Sequence, residues 1–262
     1  MFTISEIEHQ YGDRVHILDD PFLTTQLARL CTDEVTQPEF NQLISTLYTS
    51  LIRTVINTVY PLESVEMKTR MHAVTPRGVF RGDVVDRNTA SVVVDIARAG
   101  ILPSQICFDT LNGILNPDVV RQDHLIMART VDGDDQVTGA AITGKKIGGT
   151  VDDRMVLFPD PMGATGNSLA TAMDSYNSGD IGIPRQLVAL NLIITPEYIR
   201  TLTERFDNVK IFAIRVDRGM SPNDVLNAVP GAHWERESGL NDKQYIVPGG
   251  GGFGELMNNS WV

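Results

Sequence analysis

Apolar positions along the chain keep two distinct periods. Between Pro38 and Pro61 they recur at helical spacing, with Phe40, Leu43, Ile44, Leu47, Leu51, Ile52, Val55 and Val59 on one face. The spacing predicts one long amphipathic helix that packs on a sheet or on a partner chain. A shorter helix is expected from Pro21 to about Cys31, with Asp19 or Asp20 as cap and the proline at its first position. From Glu63 the period drops to two. Val65, Met67, Thr69 and Met71 alternate with polar residues, and residues 74–80 read as the return strand of a hairpin.

Past residue 90 the strand signal changes from alternation to continuous apolar runs, at 91–96, 125–129, 155–159, 186–194 and 210–216. Helical segments at 102–115, 166–178 and 196–206 fall between several of them. That order predicts an α/β fold with a mostly parallel sheet flanked by helices on both faces, a β-hairpin arm and an N-terminal helical segment over 1–60. Ligands of such sheets gather at the carboxyl ends of the strands. Arg98, Arg129 and Asp160 each follow on a predicted strand and are expected at that one edge. Residues 131–154, with Asp132-Gly133-Asp134-Asp135 and Gly148-Gly149, read as a long mobile excursion, a lid loop. With no repeat and no linker, residues 1–262 are expected to form one domain.

The densest chemistry lies in Asp160-Pro161-Met162-Gly163-Ala164-Thr165-Gly166-Asn167-Ser168, between a strand and a helix. Amide groups at a helix N-terminus aim at an anion, the helix dipole favours its charge, and Thr165 and Ser168 add hydroxyl donors. Asp160 precedes this cradle at the strand end. A carboxylate beside a phosphate site fits a sugar phosphate, with the acid accepting from ribose hydroxyls.

Composition narrows the partners. The chain carries a formal net charge of -11, which argues against a nucleic-acid surface. A polyphosphate ligand then needs local cations, with Mg²⁺ the expected one. Mean hydropathy is -0.07 and no run of about 18 apolar residues occurs, so no membrane span is expected. Residues 1–10 show no secretory signal, and Cys31 and Cys107 lack a metal-ligand spacing. Both cysteines read as reduced thiols of a cytoplasmic protein. The glycines from Gly249 to Gly254 contain Gly-x-Gly-x-x-Gly, but a dinucleotide-binding reading is set aside because no helix is expected after them.

The run Asp152-Asp153-Arg154-Met155-Val156-Leu157-Phe158-Pro159-Asp160-Pro161-Met162-Gly163-Ala164-Thr165-Gly166-Asn167-Ser168 resembles the motif of the uracil phosphoribosyltransferases, a branch of the type I phosphoribosyltransferases. Their motif reads Asp-Glu-Arg-Met-x-Leu-x-x-Asp-Pro-Met-Leu-Ala-Thr-Gly-Gly-Ser. The departures include Gly163 for Leu and Asn167 for Gly. Ile96-Ala97-Arg98-Ala99-Gly100 is similar to the family's diphosphate loop, Met127-Ala128-Arg129 to its Met-Tyr-Arg, and Leu240-Asn241 with Tyr245-Ile246-Val247-Pro248-Gly249 to its nucleobase segment.

The resemblance implies transfer of a phosphoribosyl group from 5-phosphoribosyl 1-diphosphate (PRPP) to uracil, giving UMP and pyrophosphate. It further implies a type I phosphoribosyltransferase fold, Mg²⁺ as cofactor and a homodimer or higher homo-oligomer, the long N-terminal helix being a candidate contact. By position, Asp160 to Ser168 hold the ribose and its 5-phosphate, Arg98 and Arg129 neutralise the diphosphate, and Lys145 or Lys146 closes over it. The backbone at Ile246, Gly251, Gly252 and Phe253 reads the base. The tail departs from the pattern: Gly252 stands where the family has an aspartate, and Glu255 keeps an acid at the second acidic position. On residues alone two other readings stay open: a transferase for another heterocycle, and a non-catalytic protein that binds PRPP or a nucleotide.

Overall fold

The computed structural model describes residues 3–131 and 137–261, with the side chains of residues 129–140 outside the described set. Strands β1 (Val15–Ile17), β4 (Ser91–Ala97), β5 (Val120–Val131), β6 (Val137–Lys146), β7 (Met155–Pro159), β8 (Met162–Gly163), β9 (Gln186–Ile194) and β10 (Val209–Val216) make one sheet. A separate antiparallel hairpin is formed by β2 (Leu62–Lys68) and β3 (Val79–Val85). The sheet runs β1-β10-β9-β7-β4-β5-β6, with β8 added to β9, and every pairing is parallel except β5 with β6. The expected fold class is the observed one.

Continuous burial explains the continuous apolar strands. Every residue of β7 is buried, as are all but one in each of β4 and β9. Alternate residues feed two cores. Val93, Leu157 and Val188 face α1 (Pro21–Leu30), α2 (Glu39–Val59), α3 (Ile101–Asn112) and α7 (Phe253–Asn258). Val92, Val156 and Leu187 face α4 (Asn167–Asn177) and α5 (Pro196–Arg205). A short α6 (Asn223–Leu226) follows β10. The Asp20 carboxylate accepts from the Leu23 amide at 3.1 Å, with Pro21 at the first helical position, so α1 starts where the cap signal predicts.

Topology creates a crevice at one place. The chain leaves β4 through α3 to β5 on one side, and leaves β7 through α4 to β9 on the other, while β4 and β7 are themselves neighbours. Their two outgoing loops, the Arg98 loop and the Asp160 loop, therefore diverge at a topological switch point.

Several expectations change. The return strand of the arm is Val79–Val85 instead of 74–80, because a 3₁₀ turn, Arg70–Ala73, takes up the intervening residues. The supposed lid contains β6, which pairs along β5, so residues 137–146 of it are sheet; residues 132–136 lie outside the described set. A helix, α7, does follow the glycine run, although no βαβ unit does. The apolar face of α2 is spent inside the chain: Phe40, Ile44, Leu47, Leu51, Ile52 and Val55 are fully buried, which removes that face as a contact between copies. Trp234 packs edge-on against Tyr11 at 5.3 Å under the Arg200 guanidinium.

Candidate active site

Asp160 ends β7 with its backbone held from both sides: its amide donates to Leu190 at 3.0 Å and its carbonyl accepts from the Asn191 side chain at 2.6 Å. Its carboxylate accepts from the Met162 amide at 3.0 Å. Burial pushes its pKa up to about 6, opposed only by that amide, although the residue keeps some accessible surface. An acid held this way, with no salt-bridge partner among the described residues, is a poor structural element and a ready acceptor for a ligand's hydroxyls or a hard cation.

The turn after it is tied down from beneath. The carbonyl of Pro161 accepts from the Leu192 and Ile193 amides, and that of Gly163 from the Thr195 amide. Thr195 Oγ1 donates to Ala164 O at 2.6 Å, and Thr201 Oγ1 donates to Thr165 O at 2.7 Å. Tyr198 donates to Asn191 Oδ1 at 2.8 Å, completing a chain back to Asp160. With the carbonyls held inward, the amides at the start of α4 face out, where Asn167 and Ser168 are exposed. Thr165 Oγ1 accepts from the Asn167 amide at 3.3 Å, the helix opening of an anion cradle.

Two glycines are required by this support. Gly166 has φ +82°, and a Cβ there would lie 2.9 Å from Thr201 Cβ. Gly166→Ala is therefore expected to destabilise the chain by about 1–3 kcal/mol, read from the urea midpoint; an unchanged midpoint would show the turn to be plastic. At Gly163, where the family pattern has leucine, a Cβ would meet the Tyr198 ring at 2.9 Å. The tyrosine already fills that volume.

Arg98 stands one residue past β4. A Cβ on neighbouring Gly100 would lie 3.1 Å from Pro159 O, so this loop runs close against the end of β7 and the Asp160 turn. The guanidinium donates to Ser260 O at 3.0 Å and to Glu255 Oε1 at 3.2 Å. The tail thus meets the diphosphate-loop candidate directly.

The base candidates sit on a second rigid base. Ile246 pairs with Leu240 in an isolated antiparallel bridge flanked by Asn241 N to Tyr245 O and Val247 N to Gly239 O. That is the non-hydrogen-bonded mode, so the amide and carbonyl of Ile246 turn out of the bridge and are available to a ligand edge. Arg215 grips Asp217 through two bonds, of 2.6 and 2.8 Å, and both hold Gly249: its amide donates to Asp217 and its carbonyl accepts from Arg215, each at 2.8 Å. Gly251 and Gly252 are exposed. Phe253 is different: its side chain is buried edge-on against Phe40, 5.2 Å between ring centres, and leaves only backbone for a base.

The remaining cationic candidates lie on β5 and β6. Arg129 lies within β5, beyond the level at which Ile126 pairs with Ala97 at the end of β4, and its side chain lies outside the described residues. Lys145 and Lys146 belong to β6 opposite Leu125 and His124, which are themselves level with Ile96 and Asp95 of β4. They stand one strand further out than β5, one and two residues below the end of β4 that carries Arg98. Both cysteines are free thiols. Sequence reasoning missed Asn191, Thr195, Tyr198 and Thr201 beneath the turn, and Arg215 with Asp217 beneath the tail. Asn191 had a legible signal, since a lone amide in an otherwise apolar strand must find partners.

Known proteins resemble this chain over most of its length. The uracil phosphoribosyltransferase family model matches residues 17–233. A uracil phosphoribosyltransferase from Acidovorax sp. (strain JS42) is 26% identical over 244 residues, 93% of this chain and 97% of that protein. One from Dictyoglomus thermophilum is 25% identical over 243 residues, covering 93% and 98%. The solved AQ2163 protein from Aquifex aeolicus shares the fold, with a TM-score of 0.70 at 20% identity over 95% of this chain and 99% of that one. From the strand-turn-helix cradle at the switch point to the match over most of its length, the chain belongs to the uracil phosphoribosyltransferase family.

Proposed function

We propose that this chain transfers the phosphoribosyl group of PRPP to uracil, releasing pyrophosphate and forming UMP. The observation that carries this is the pairing at the β4–β7 switch point: a desolvated acid and an amide-lined turn on one side, an arginine loop on the other. In the reaction the C1–O bond to diphosphate breaks and the leaving group takes the electron pair. The C1–N1 bond to uracil forms and N1 gives its proton to water.

Such a transition state needs positioning and stabilisation of the departing charge more than proton transfer at carbon. The start of α4 with Thr165 holds the 5-phosphate, and Asp160 accepts from the ribose hydroxyls. Arg98 and Arg129 neutralise the diphosphate, for which a planar, permanently charged fork is suited. The exposed backbone of Ile246, Gly251 and Gly252 pairs with the edge of uracil. Lys145 and Lys146 lend positive charge from β6 at longer range.

The donor set fits Mg²⁺ only as a ligand-borne ion. Among the described residues no group of three or more His, Cys, Asp or Glu is placed to hold a metal. No protein side chain is assigned to the ion, which would be carried by PRPP and water. Bound there, Mg²⁺ would neutralise the leaving group.

The proposal extends to a homodimer joined through the β2–β3 arm. The arm leaves Leu62, Met67, Met71, Val74 and Phe80 exposed on a two-stranded ribbon, and such a ribbon is marginal alone in water. Sedimentation of wild type against Met67→Lys/Phe80→Lys tests this, with a shift to monomer expected.

The activity itself is tested by incubating folded protein with uracil, PRPP and Mg²⁺ and measuring UMP and pyrophosphate. Turnover of another base in preference to uracil would reassign the acceptor, and no product at high enzyme concentration would end the transferase reading.

A further inference from the structure

The tail of this chain lacks the family's aspartate at position 252, yet the place for its carboxylate is taken. Gly252 has an ordinary backbone, φ -82°, so nothing in its conformation demands glycine. What a side chain at this position would meet, and have to displace, is the far end of Glu255. A Cβ on Gly252 would lie 3.2 Å from Glu255 Cδ and closer still to Oε2. Glu255 therefore folds back over residue 252, one turn of α7 earlier, and its other oxygen, Oε1, accepts from Arg98 Nη2 at 3.2 Å.

The rest of the contact is equally specific. Arg98 Nη1 donates to Ser260 O at 3.0 Å and to Ser260 Oγ at 3.2 Å. The Glu255 carbonyl accepts from the Ser260 amide at 3.2 Å and takes part in the helix C-cap at Asn259. A Cβ on Gly254 would touch Ala99 at 3.6 Å, so α7 lies on the Arg98 loop itself. The base of α7 is in turn held by Gln37 Nε2, which donates to Leu256 O at 2.9 Å and Met257 O at 3.2 Å.

We infer that Glu255 is the positioning residue for Arg98, and that Gly252 is glycine so that the Glu255 carboxylate can reach it. This rests on the reading of Arg98 as the diphosphate-binding arginine. Arg98 and Glu255 are each about a third exposed, and a long cationic side chain left free there would have to be ordered when the ligand arrives. Held in advance, it is not, and preorganisation of that kind raises affinity. The acid retained at the second position of this tail, Glu255, is the one that reaches Arg98.

The test compares wild type, Glu255→Ala, Glu255→Gln, Gly252→Asp and the double variant Gly252→Asp/Glu255→Ala, by PRPP calorimetry, steady-state kinetics and thermal unfolding. Glu255→Ala is expected to raise the PRPP Kd and KM about tenfold with the uracil KM unchanged. Glu255→Gln, which still accepts from Arg98, recovers part of that loss. Gly252→Asp alone should cost as much as Glu255→Ala, because it displaces the glutamate, and the double variant should cost no more than either single one. PRPP binding by Glu255→Ala equal to or tighter than wild type overturns the inference, as do strictly additive losses in the double variant. Wild type that binds no PRPP overturns the reading of Arg98 beneath it, a result distinct from both.

Discussion

Replacing Asp160 with asparagine is expected to weaken PRPP binding or turnover at least tenfold while making the folded chain more stable at pH 8. Both effects have one cause. Burial pushes Asp160 up to about 6, from an ordinary value of 3.8. Between those values the folded chain binds a proton that the unfolded chain does not. Folding stability therefore grows as pH falls through about 6 and is lost as pH rises through it. Above that pH the desolvated charge costs on the order of 2–3 kcal/mol. Asparagine removes the charge and keeps an oxygen for the Met162 amide, so urea unfolding at pH 8 should show a gain of that order. Near pH 4 the two proteins should converge. The ribose hydroxyls lose a charged acceptor, the stronger kind, and a tenfold loss corresponds to about 1.4 kcal/mol. Wild-type affinity should also fall as pH drops through 6, more steeply than the variant's, since protonation of the ligand's phosphate near the same pH acts on both. An asparagine variant with normal kinetics, or one less stable than wild type at pH 8, contradicts the role given to this acid.

Asp217→Ala is expected to have the largest effect on stability, about 3–5 kcal/mol, and to raise the KM for uracil more than that for PRPP. Asp217 is 1% exposed and is bonded twice by Arg215 and once by the Gly249 amide. Truncating it strands a partly buried guanidinium and an amide, and an uncompensated buried charge costs several kcal/mol. The same loss releases Gly249, and with it the backbone of the base segment. The control is Arg215→Met/Asp217→Leu, which removes both charges. It should cost less stability than Asp217→Ala alone, yet leave the uracil KM raised. A loss under 1 kcal/mol in the single variant would mean that the pair does not hold the tail.

Two glycine departures from the family pattern follow one rule. Gly163 gives way to the Tyr198 ring and Gly252 to the Glu255 carboxylate. Read along the chain each is a loss, a leucine missing from one turn and an acid from another. In space each is an exchange, since a neighbour already fills the volume or supplies the charge. Phe253 carries the opposite lesson. It sits among glycines in a segment read as base-binding, but its side chain is buried with Phe40, 213 residues earlier in the chain.

Local pattern and spacing were enough to specify the α/β class, the strand cores at β4, β7, β9 and β10, the cap and start of α1, the start of α5, and the turn from Asp160 to Ser168. These depend on period, on proline and capping residues, and on which runs are apolar enough to be buried on both faces, all properties of neighbours in sequence. Short or half-exposed strands were not legible. β1 has three residues, and β6 is the antiparallel edge partner of β5 in a segment rich in glycine and polar residues, so its pairing comes from β5 and not from its own composition. Only the tertiary structure decided that Arg98 is held by residues near the end of the chain, that Asp160 is desolvated, and that Asn191 and Asp217 brace the two loops. Those relations join residues 30 to 160 positions apart, and a chain order carries no term for the distance between them until the sheet closes it.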